Sequence, residues 1–311
     1  MKPVRVVFVV GPTASGKSDF VHNLIDTVFP NAVVIGADSM QIYTRMRIGT
    51  AKPSPETAAR YRYRLVDCVD PTINFSVADY FHAAVKELSA LTAQPVFVVG
   101  GTGLYVRALK CGMFTETDDG GAIRSRLEQT PPDELPALYE RLRTVDPAAA
   151  QTISPGDRRR IIRALEVYEK TGEPISVMQQ RRSTPVPLTH RTVELCVPRS
   201  TLYDRINRRV LSMFGAGLID EVKSLISYGV TAGNTAMQGI GYKEVVSHLS
   251  GALPYDELIT TVQQNTRRYA KRQETWFRRE DPVIIDPENI MEKTAIISKI
   301  AAFFGGSDDA F

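Results

Sequence analysis

Residues 11–18 read GPTASGKS and match the pattern GxxxxGK[ST]. The motif follows a β-branched apolar run, VRVVFVV at residues 4–10, and precedes a helical pattern at 19–28. Glycines in such a loop let successive N–H groups turn inward, and the following helix adds its positive N-terminal end. A chance match somewhere in 311 residues has a probability of roughly 1%. The motif therefore predicts a loop that binds a di- or triphosphate, with Lys17 as a point charge and the Ser18 hydroxyl as a ligand for Mg²⁺.

Outside this loop, apolar runs and helical patterns alternate along the first third of the chain. Strand-like runs lie at 32–35, 65–69 and 95–99, and a helical pattern covers 77–91. Strands that alternate with helices form βαβ units. The sequence therefore predicts an α/β fold of the P-loop NTPase type, with a mostly parallel sheet flanked by helices.

The pattern changes in the middle of the chain. From 115 to 182 the sequence is charged, helical and interrupted by prolines, without a strand-like run, which indicates an all-helical insertion domain. A strand-like run at 193–197 returns to the sheet, and it is followed by helical patterns at 200–214, 218–227, 237–249 and 254–279 and a short strand at 283–285. We expect a P-loop core at 1–114, the helical insertion at 115–190, and the core continuation with C-terminal helices at 191–311.

The composition is that of an ordinary globular protein. Lys plus Arg number 38 and Asp plus Glu 35, which gives a net charge of +3, and 43% of the residues are hydrophobic. Three widely spaced cysteines, Cys68, Cys111 and Cys196, are typical of reduced thiols. No apolar run approaches the length of a membrane span. We therefore expect a cytoplasmic protein without membrane contact, and a monomer.

Two apolar runs end in residues that suit an acceptor site. Asp38 follows the run at 32–35, and Thr102 lies in the sequence GGTG after the run at 95–99. The carboxyl ends of parallel strands open onto the crevice beside the phosphate loop. Asp38 and Thr102 are therefore candidates for the acceptor side of a transfer reaction. A turn or helix-capping role for Asp38 remains the alternative.

Basic residues gather in two helical segments. Arg158, Arg159, Arg160 and Arg163 begin one segment, and a second at 267–279 carries six Lys or Arg residues with aromatic residues between them. Such clusters suit an RNA backbone, although solvated helical faces have the same pattern. Trp276 falls at a spacing that favours packing against the core.

Eight blocks, in order, give the chain a resemblance to the tRNA dimethylallyltransferases, also called tRNA isopentenyltransferases. The resemblance runs from about residue 6 to residue 280 and is of the bacterial type, without a C-terminal zinc finger. The blocks are GPTASGKS (11–18), ADSMQIY (37–43), GTAKP (49–53), VVGGTGLY (98–105), RRIIRALEVYEKTG (159–172), GLIDEVKSL (217–225), MQGIGYKE (237–244) and NTRRYAKRQETWFRR (265–279).

The resemblance implies transfer of a dimethylallyl group from dimethylallyl diphosphate to N6 of the adenine 3′-adjacent to the anticodon in certain tRNAs, with Mg²⁺ as cofactor. It implies Asp38 as the general base, Thr102 as a contact to the adenosine, and Lys17 and Mg²⁺ as stabilisers of the leaving pyrophosphate. The diphosphate-binding residues would be Gly11, Thr13, Ala14, Ser15, Gly16, Lys17 and Ser18. The tRNA-binding residues would be Asp38, Ser39, Met40, Gln41, Thr102, Arg159, Arg160, Arg163, Gln238, Gly239, Gly241, Tyr242, Lys243, Lys271, Arg272 and Arg278.

One position departs from the family pattern, and three different functions also fit the phosphate loop. Some family members have a diphosphate-contacting arginine where this chain has Tyr228, which puts that contact in doubt. A P-loop kinase for a small molecule or nucleoside would use the same core with ATP. A prenyltransferase acting on free AMP or ADP would also fit the loop, as would a nucleotide-gated RNA-binding protein without catalysis.

Overall fold

The first strand, β1 (Val4–Val10), is the β-branched run before the glycine loop, and it lies in the middle of a six-stranded sheet. The other strands are β2 (Val33–Gly36), β3 (Tyr63–Arg64), β4 (Val96–Val99), β5 (Leu188–Leu195) and β6 (Val283–Ile285). Their order is β3-β2-β4-β1-β5-β6, and every neighbouring pair is parallel. The predicted α/β fold with a parallel sheet is confirmed.

Helices connect and cover these strands in a computed structural model that describes residues 3–91, 94–113, 121–181 and 187–307. They are α1 (Lys17–Thr27), α2 (Pro55–Arg60), α3 (Val77–Ala90), α4 (Gly103–Cys111), α5 (Ala122–Glu128), α6 (Leu135–Val145), α7 (Pro147–Thr152), α8 (Arg158–Thr171), α9 (Ile175–Gln180), α10 (Arg199–Gly215), α11 (Leu218–Ser227), α12 (Tyr242–Leu249), α13 (Tyr255–Phe277) and α14 (Ile290–Phe304). Short 3-10 segments lie at Pro132–Glu134, Thr235–Gln238 and Arg278–Glu280. Among the described residues, no helix has the length and hydrophobicity needed to cross a membrane.

The sheet is buried on both faces, which explains the continuous apolar runs in its strands. Val6 and Phe8 of β1 pack on one face, in a core shared with α3, α4 and the helices from α10 to α13. Val7 and Val9 point to the opposite face, where α1 and α14 cover them. Side chains alternate between the two faces because the period of a strand is two residues.

The chain divides into two compact units. The core unit consists of Met1–Lys110 and Pro187–Phe311, and the helical unit of Cys111–Val186. The helical unit contains α5 to α9 around its own apolar cluster, with Leu142, Ile161 and Leu165 fully buried. The expected domain boundary at 114 lies outside the described residues, whereas β5 begins at Leu188, before the expected boundary at 190.

Several elements differ from the sequence-based expectation, and two of them differ because the backbone turns where the pattern looked regular. No strand forms at 65–69: β3 ends at Arg64, and Leu65 and Asp67 adopt φ of 58° and 56°, which a strand does not allow. Within this range, Val69 forms an isolated bridge with Tyr43. The helix expected from 237 begins at Tyr242, because Gly241 has φ of 95°. The strand expected at 193 begins at Leu188 and pairs with β1 along its length, although its residues 189–192 are polar. Helices α2, α4 and α14 were not predicted.

Glu221, in α11, connects residues 47–49, which follow β2, to the core by hydrogen bonds. Its Oε2 accepts the N–H groups of Arg47 and Ile48, both at 2.8 Å, and its Oε1 accepts the N–H of Gly49 at 3.1 Å. The hydroxyl of Tyr242 donates to the same Oε1 at 2.6 Å. A single carboxylate therefore satisfies four donors from two parts of the chain.

We expect Glu221→Ala to lower the free energy of unfolding by about 3 kcal/mol, because it leaves these donors without their charged acceptor. Urea denaturation measures the loss. The matched control is Asp220→Ala, since the Asp220 side chain is 82% exposed and should change stability by less than about 0.5 kcal/mol. Equal effects of the two variants would contradict the role given to Glu221.

Candidate active site

The phosphate loop, residues 11–18, joins β1 to α1. Ala14 and Gly16 adopt positive φ of 65° and 89°, a backbone that turns successive N–H groups toward the inside of the loop. No side chain caps the N-terminus of α1, so the N–H groups of its first turn are open to an anion. The loop therefore has the geometry that its sequence predicted.

Lys17 lies at the start of α1 with its ammonium folded over the loop. Its Nζ donates to the carbonyl oxygens of Gly11 at 3.0 Å and Pro12 at 2.6 Å. Burial lowers the pKa of Lys17 to about 8, while the charge of Asp38 opposes this shift and that of Arg209 adds to it. Lys17 is thus a cation that titrates just above neutrality and that an anion would stabilise.

Asp38 and Thr102 lie together, as the rule for parallel strand ends predicted. Asp38 follows β2, and its Oδ1 accepts the N–H groups of Met40 at 2.9 Å and Gln41 at 3.2 Å. Thr102 follows β4, and its Oγ1 accepts the N–H of Ser39 at 3.0 Å. One oxygen of Asp38 therefore holds a turn, and its other oxygen, Oδ2, is not part of that turn.

The phosphate loop and Asp38 line one crevice of about 520 Å³. From the predicted diphosphate set, the crevice is lined by Thr13, Ala14, Gly16, Lys17 and Ser18. Gly11 and Ser15 are buried and do not line the crevice. The Oγ of Ser15 is fully buried without a hydrogen-bond partner among the described residues. The crevice thus combines the phosphate loop and the acceptor candidate in one site.

A second cavity of about 290 Å³ adjoins the first and shares Thr13, Asp38, Thr50, Arg209 and Tyr269 with it. Part of its wall is apolar, from Met40, Ile206, Val210, Met213, Ile240 and Val262. Burial, and then the charge of Asp38, raises the pKa of Tyr269 to about 12, so this phenol is a hydrogen-bond donor at neutral pH. Asp38 therefore lies between a polar crevice and a partly apolar one.

The residues predicted to bind tRNA are divided between several places. Ser39, Met40, Gln238, Gly239, Lys243 and Arg272 line the second cavity, and Gln41 lines the first. Lys271 and Arg278 are exposed at α13 and just beyond it. Gly241 and Tyr242 are buried away from both cavities, and Tyr242, at 1% exposure, is a core residue bonded to Glu221. Arg159, Arg160 and Arg163 lie on α8 in the helical unit.

Tyr228 lies at the end of α11, apart from the residues that line the crevice. Its hydroxyl donates to Oδ2 of Asp70 at 2.7 Å, and the guanidinium of Arg45 stacks on its ring at 3.9 Å from the centroid. The side chain is therefore engaged with a neighbouring loop, and this position places no cation at the phosphate loop.

Arg209, in α10, is a crevice residue that was not predicted from the sequence. It lines both cavities, and among the described residues its guanidinium has no hydrogen bond or ion pair. Burial lowers its pKa, while Asp38 and Asp19 oppose the shift. A signal was present in the sequence, because Arg209 lies one helical turn after the core-facing Ile206 and next to the core-facing Val210.

A metal ion could bind beside the loop. Ser18 and the carboxylates of Asp19 and Asp38 line the same crevice. No cluster of three or more His, Cys, Asp or Glu side chains suited to a metal occurs within the described part of the chain. A metal would therefore depend on a hydroxyl, a carboxylate and the oxygens of a bound phosphate, a hard oxygen set that Mg²⁺ accepts.

Comparisons with known proteins agree on one family. The family model described as IPP transferase matches residues 41–280. The tRNA dimethylallyltransferase of Geobacter sulfurreducens is 44% identical over 306 residues, which cover 97% of each chain. The crystal structure of the full-length tRNA isopentenylpyrophosphate transferase of Bacillus halodurans is similar with a TM-score of 0.69 at 37% identity, covering 97% of each chain. A eukaryotic dimethylallyltransferase acting on tRNA gives a TM-score of 0.76 at 26% identity, covering 94% of this chain and 75% of that one.

Proposed function

The chain belongs to the IPP transferase family, and from this premise we propose that it transfers a dimethylallyl group from dimethylallyl diphosphate to N6 of the adenine 3′-adjacent to the anticodon in tRNA. Diphosphate is the other product. The observation that carries the proposal is the shared crevice, in which Asp38 faces the same space as Lys17 and the phosphate loop.

In this reaction the phosphate loop binds a leaving group and no phosphoryl group is transferred. Cleavage of the allylic C–O bond leaves negative charge on the diphosphate oxygens. The N–H groups of the loop, Lys17 and Arg209 line or border the crevice and would face that charge. Each such donor is worth about 3 kcal/mol where charge develops in a transition state. Mg²⁺, held by Ser18 and diphosphate oxygens, would supply further charge neutralisation there.

Asp38 takes the proton from the attacking amine. The N6 amino group of adenine forms a bond to the allylic carbon and loses a proton, so the adenine ends neutral. Oδ1 of Asp38 is held by two backbone N–H groups, which fixes the carboxylate, and Oδ2 is outside this turn. Thr102 would contact the adenosine from the neighbouring strand end, as its position beside Ser39 supports.

The tRNA would be bound by basic residues of both units. Lys243 in α12 and Arg272 in α13 are exposed cations that line the second cavity, and Lys271 is an exposed cation next to Arg272. Arg159, Arg160 and Arg163 begin α8 and would make the helical unit a tRNA-contacting part. Cations on phosphates supply most of the sequence-independent affinity for nucleic acids. The target adenine would leave its stack in the single-stranded loop, where unstacking costs least.

A transfer assay tests the proposal. The full chain is incubated with Mg²⁺ and labelled dimethylallyl diphosphate, together with unmodified tRNA, AMP or no acceptor. We expect label in tRNA, and none in a tRNA that carries guanine in place of the adenine 3′ to the anticodon. Label in AMP would replace the proposal with a prenyltransferase for free nucleotides. Hydrolysis of ATP without prenyl transfer would overturn it in favour of a kinase.

The pKa of Lys17 predicts a pH dependence for binding of the donor. Below about pH 8 the ammonium is charged and attracts the diphosphate, and above this pKa the affinity should fall by up to about tenfold for each pH unit. Titration calorimetry with dimethylallyl diphosphate between about pH 7 and pH 9.5 measures the trend. Lys17→Arg should bind with little dependence on pH, because arginine stays charged over this range. Equal slopes for the two proteins would contradict the assignment.

A further inference from the structure

Gln273 is a buried glutamine in α13. The residue is only 5% exposed, although the two residues before it, Lys271 and Arg272, are exposed. Its Oε1 accepts the N–H of Thr13 at 2.9 Å, and its Nε2 donates to the carbonyl oxygen of Gly101 at 2.8 Å. The oxygen and the nitrogen of the side-chain amide therefore each form a hydrogen bond with a different loop.

These two loops carry the two sides of the proposed reaction. Thr13 belongs to the phosphate loop, which would bind the donor. Gly101 directly precedes Thr102, whose hydroxyl bonds the N–H of Ser39 next to Asp38. The approach of Gln273 to this loop is close, since a β-carbon at Gly101 would overlap Nε2. One side chain, that of Gln273, therefore connects α13 to both loops.

Alignment of the two reactants depends on the distance between these loops. Displacement at the allylic carbon requires the attacking nitrogen to lie about 3 to 3.5 Å from it, in line with the departing oxygen, and a misplacement of about 1 Å costs about 10²-fold in rate. The loops follow the neighbouring strands β1 and β4. The N–H of Gly100 donates to the carbonyl oxygen of Val9 at 3.3 Å where the strands end, and Gln273 bonds to both loops beyond that point. A bond from each loop to the same amide group fixes their separation.

We propose that Gln273 is a positioning residue that holds the phosphate loop and the loop of residues 100–102 at the separation that prenyl transfer requires. This inference rests on the proposed function. It assigns to α13 a second role beyond tRNA contact, because the same helix that carries the exposed cations fixes the donor loop relative to the acceptor loop. The residue is one of those that line the crevice, and in this role it acts through its bonds to Thr13 and Gly101.

The first test replaces the amide by a side chain of similar length without its hydrogen bonds. We expect Gln273→Met to lower kcat by about 10²-fold, while the dissociation constants for dimethylallyl diphosphate and for tRNA stay within about threefold. The matched control is Gln263→Met in the same helix. The amide of Gln263 donates to the carbonyl oxygen of Asn207 at 3.2 Å, and the residue is not among those that line either cavity. This control should retain the wild-type kcat.

The second test uses Gln273→Glu, whose protonated form has one donor and one acceptor in the positions of the amide. An ionised carboxylate would instead face the carbonyl oxygen of Gly101. The ratio of kcat in this variant to kcat in the wild type should rise as pH falls from about 8 to about 6, because burial raises the pKa of a carboxyl group into this range. The same ratio for Gln273→Met should stay flat, which separates positioning from a general loss of stability.

The outcomes separate this inference from the proposed function. A wild-type protein that transfers no label to tRNA overturns both. With an active wild type, a Gln273→Met variant with normal kcat, or one whose loss is entirely in diphosphate affinity, overturns only the inference. If Gln273→Met does not fold, the pH ratio of Gln273→Glu decides, and a flat ratio overturns the positioning role.

Discussion

Asp38→Asn should lower kcat for prenyl transfer by about 10²- to 10⁴-fold and leave tRNA affinity nearly unchanged, because it removes a general base. Asparagine keeps a side-chain oxygen that can accept the N–H groups of Met40 and Gln41, so the turn that positions the residue survives. Its amide cannot accept the proton that N6 of adenine loses. Single-turnover transfer to tRNA measures the loss, and a filter-binding assay with tRNA measures affinity.

The control for this variant is Asp204→Asn, which makes the same change at an exposed position of α10. It should retain wild-type transfer. If Asp38→Asn kept more than about a tenth of the wild-type kcat, the carboxylate would act only through its turn, and a different group would have to take the proton. A parallel loss of tRNA binding would also argue against a role confined to proton transfer.

The second large effect is expected at Arg209. Arg209→Ala should lower kcat/KM for dimethylallyl diphosphate by about 10²- to 10³-fold, the usual cost of removing one donor from developing negative charge. The guanidinium lies in the crevice near Asp38 and Lys17 and has no partner in the described ranges, so a bound diphosphate is the group its position suits. Steady-state transfer with varied donor measures the effect.

Arg208 offers a matched control for this experiment. It neighbours Arg209 in α10 but is exposed, and its Nε donates at 3.4 Å to the carbonyl oxygen of Asp204. Arg208→Ala should change kcat/KM by less than about threefold, as expected for a solvated side chain. A similar loss in both variants would indicate a general effect of charge on tRNA binding. The result expected for Arg209 would then be contradicted.

The parts of the site that could be predicted from sequence depend on short-range rules. The phosphate loop is a contiguous motif whose conformation follows from its glycines and from the helix after it. Asp38 and Thr102 were predictable together because parallel strands bring their carboxyl ends to one edge, whatever the packing of the rest. The location of both loops at one edge of the sheet therefore follows from the sequence alone.

Such short-range rules do not predict the roles of Arg209, Gln273 and Tyr242. Each lies in a predicted helical segment or next to one, but its role depends on which side of the helix turns toward the crevice. Tyr242 was expected at the tRNA and is buried against Glu221, whereas Gln273 was passed over and is bonded to two active-site loops. Sequence alone provides one signal, a polar residue at a core-facing helical position. This signal does not identify the group that the side chain contacts.

The same distinction applies to the fold. Strands β1, β2 and β4 are buried on both faces and were recognisable as apolar runs. Strand β5 has polar residues at 189–192, and its first half is in the sheet because of its pairing with β1. Helix α14 has its apolar residues Ile296, Ile300 and Phe303 fitted to the sheet, a fit that becomes visible only when the sheet is assembled.

The insertion of one unit within the other determines the order in which the protein can fold during synthesis. Strand β1 pairs with β4, but its other neighbour, β5, comes from beyond residue 187, and α14 completes the cover of the second face only after β5 and β6 have been synthesised. The helical unit is contiguous, and its contacts are short in sequence, so it can fold as it leaves the ribosome. The parallel core cannot be completed until β5, β6 and α14 have been synthesised. Until its last helix emerges, part of the face that carries Val7 and Val9 is exposed, and in this interval the nascent chain most needs protection by chaperones.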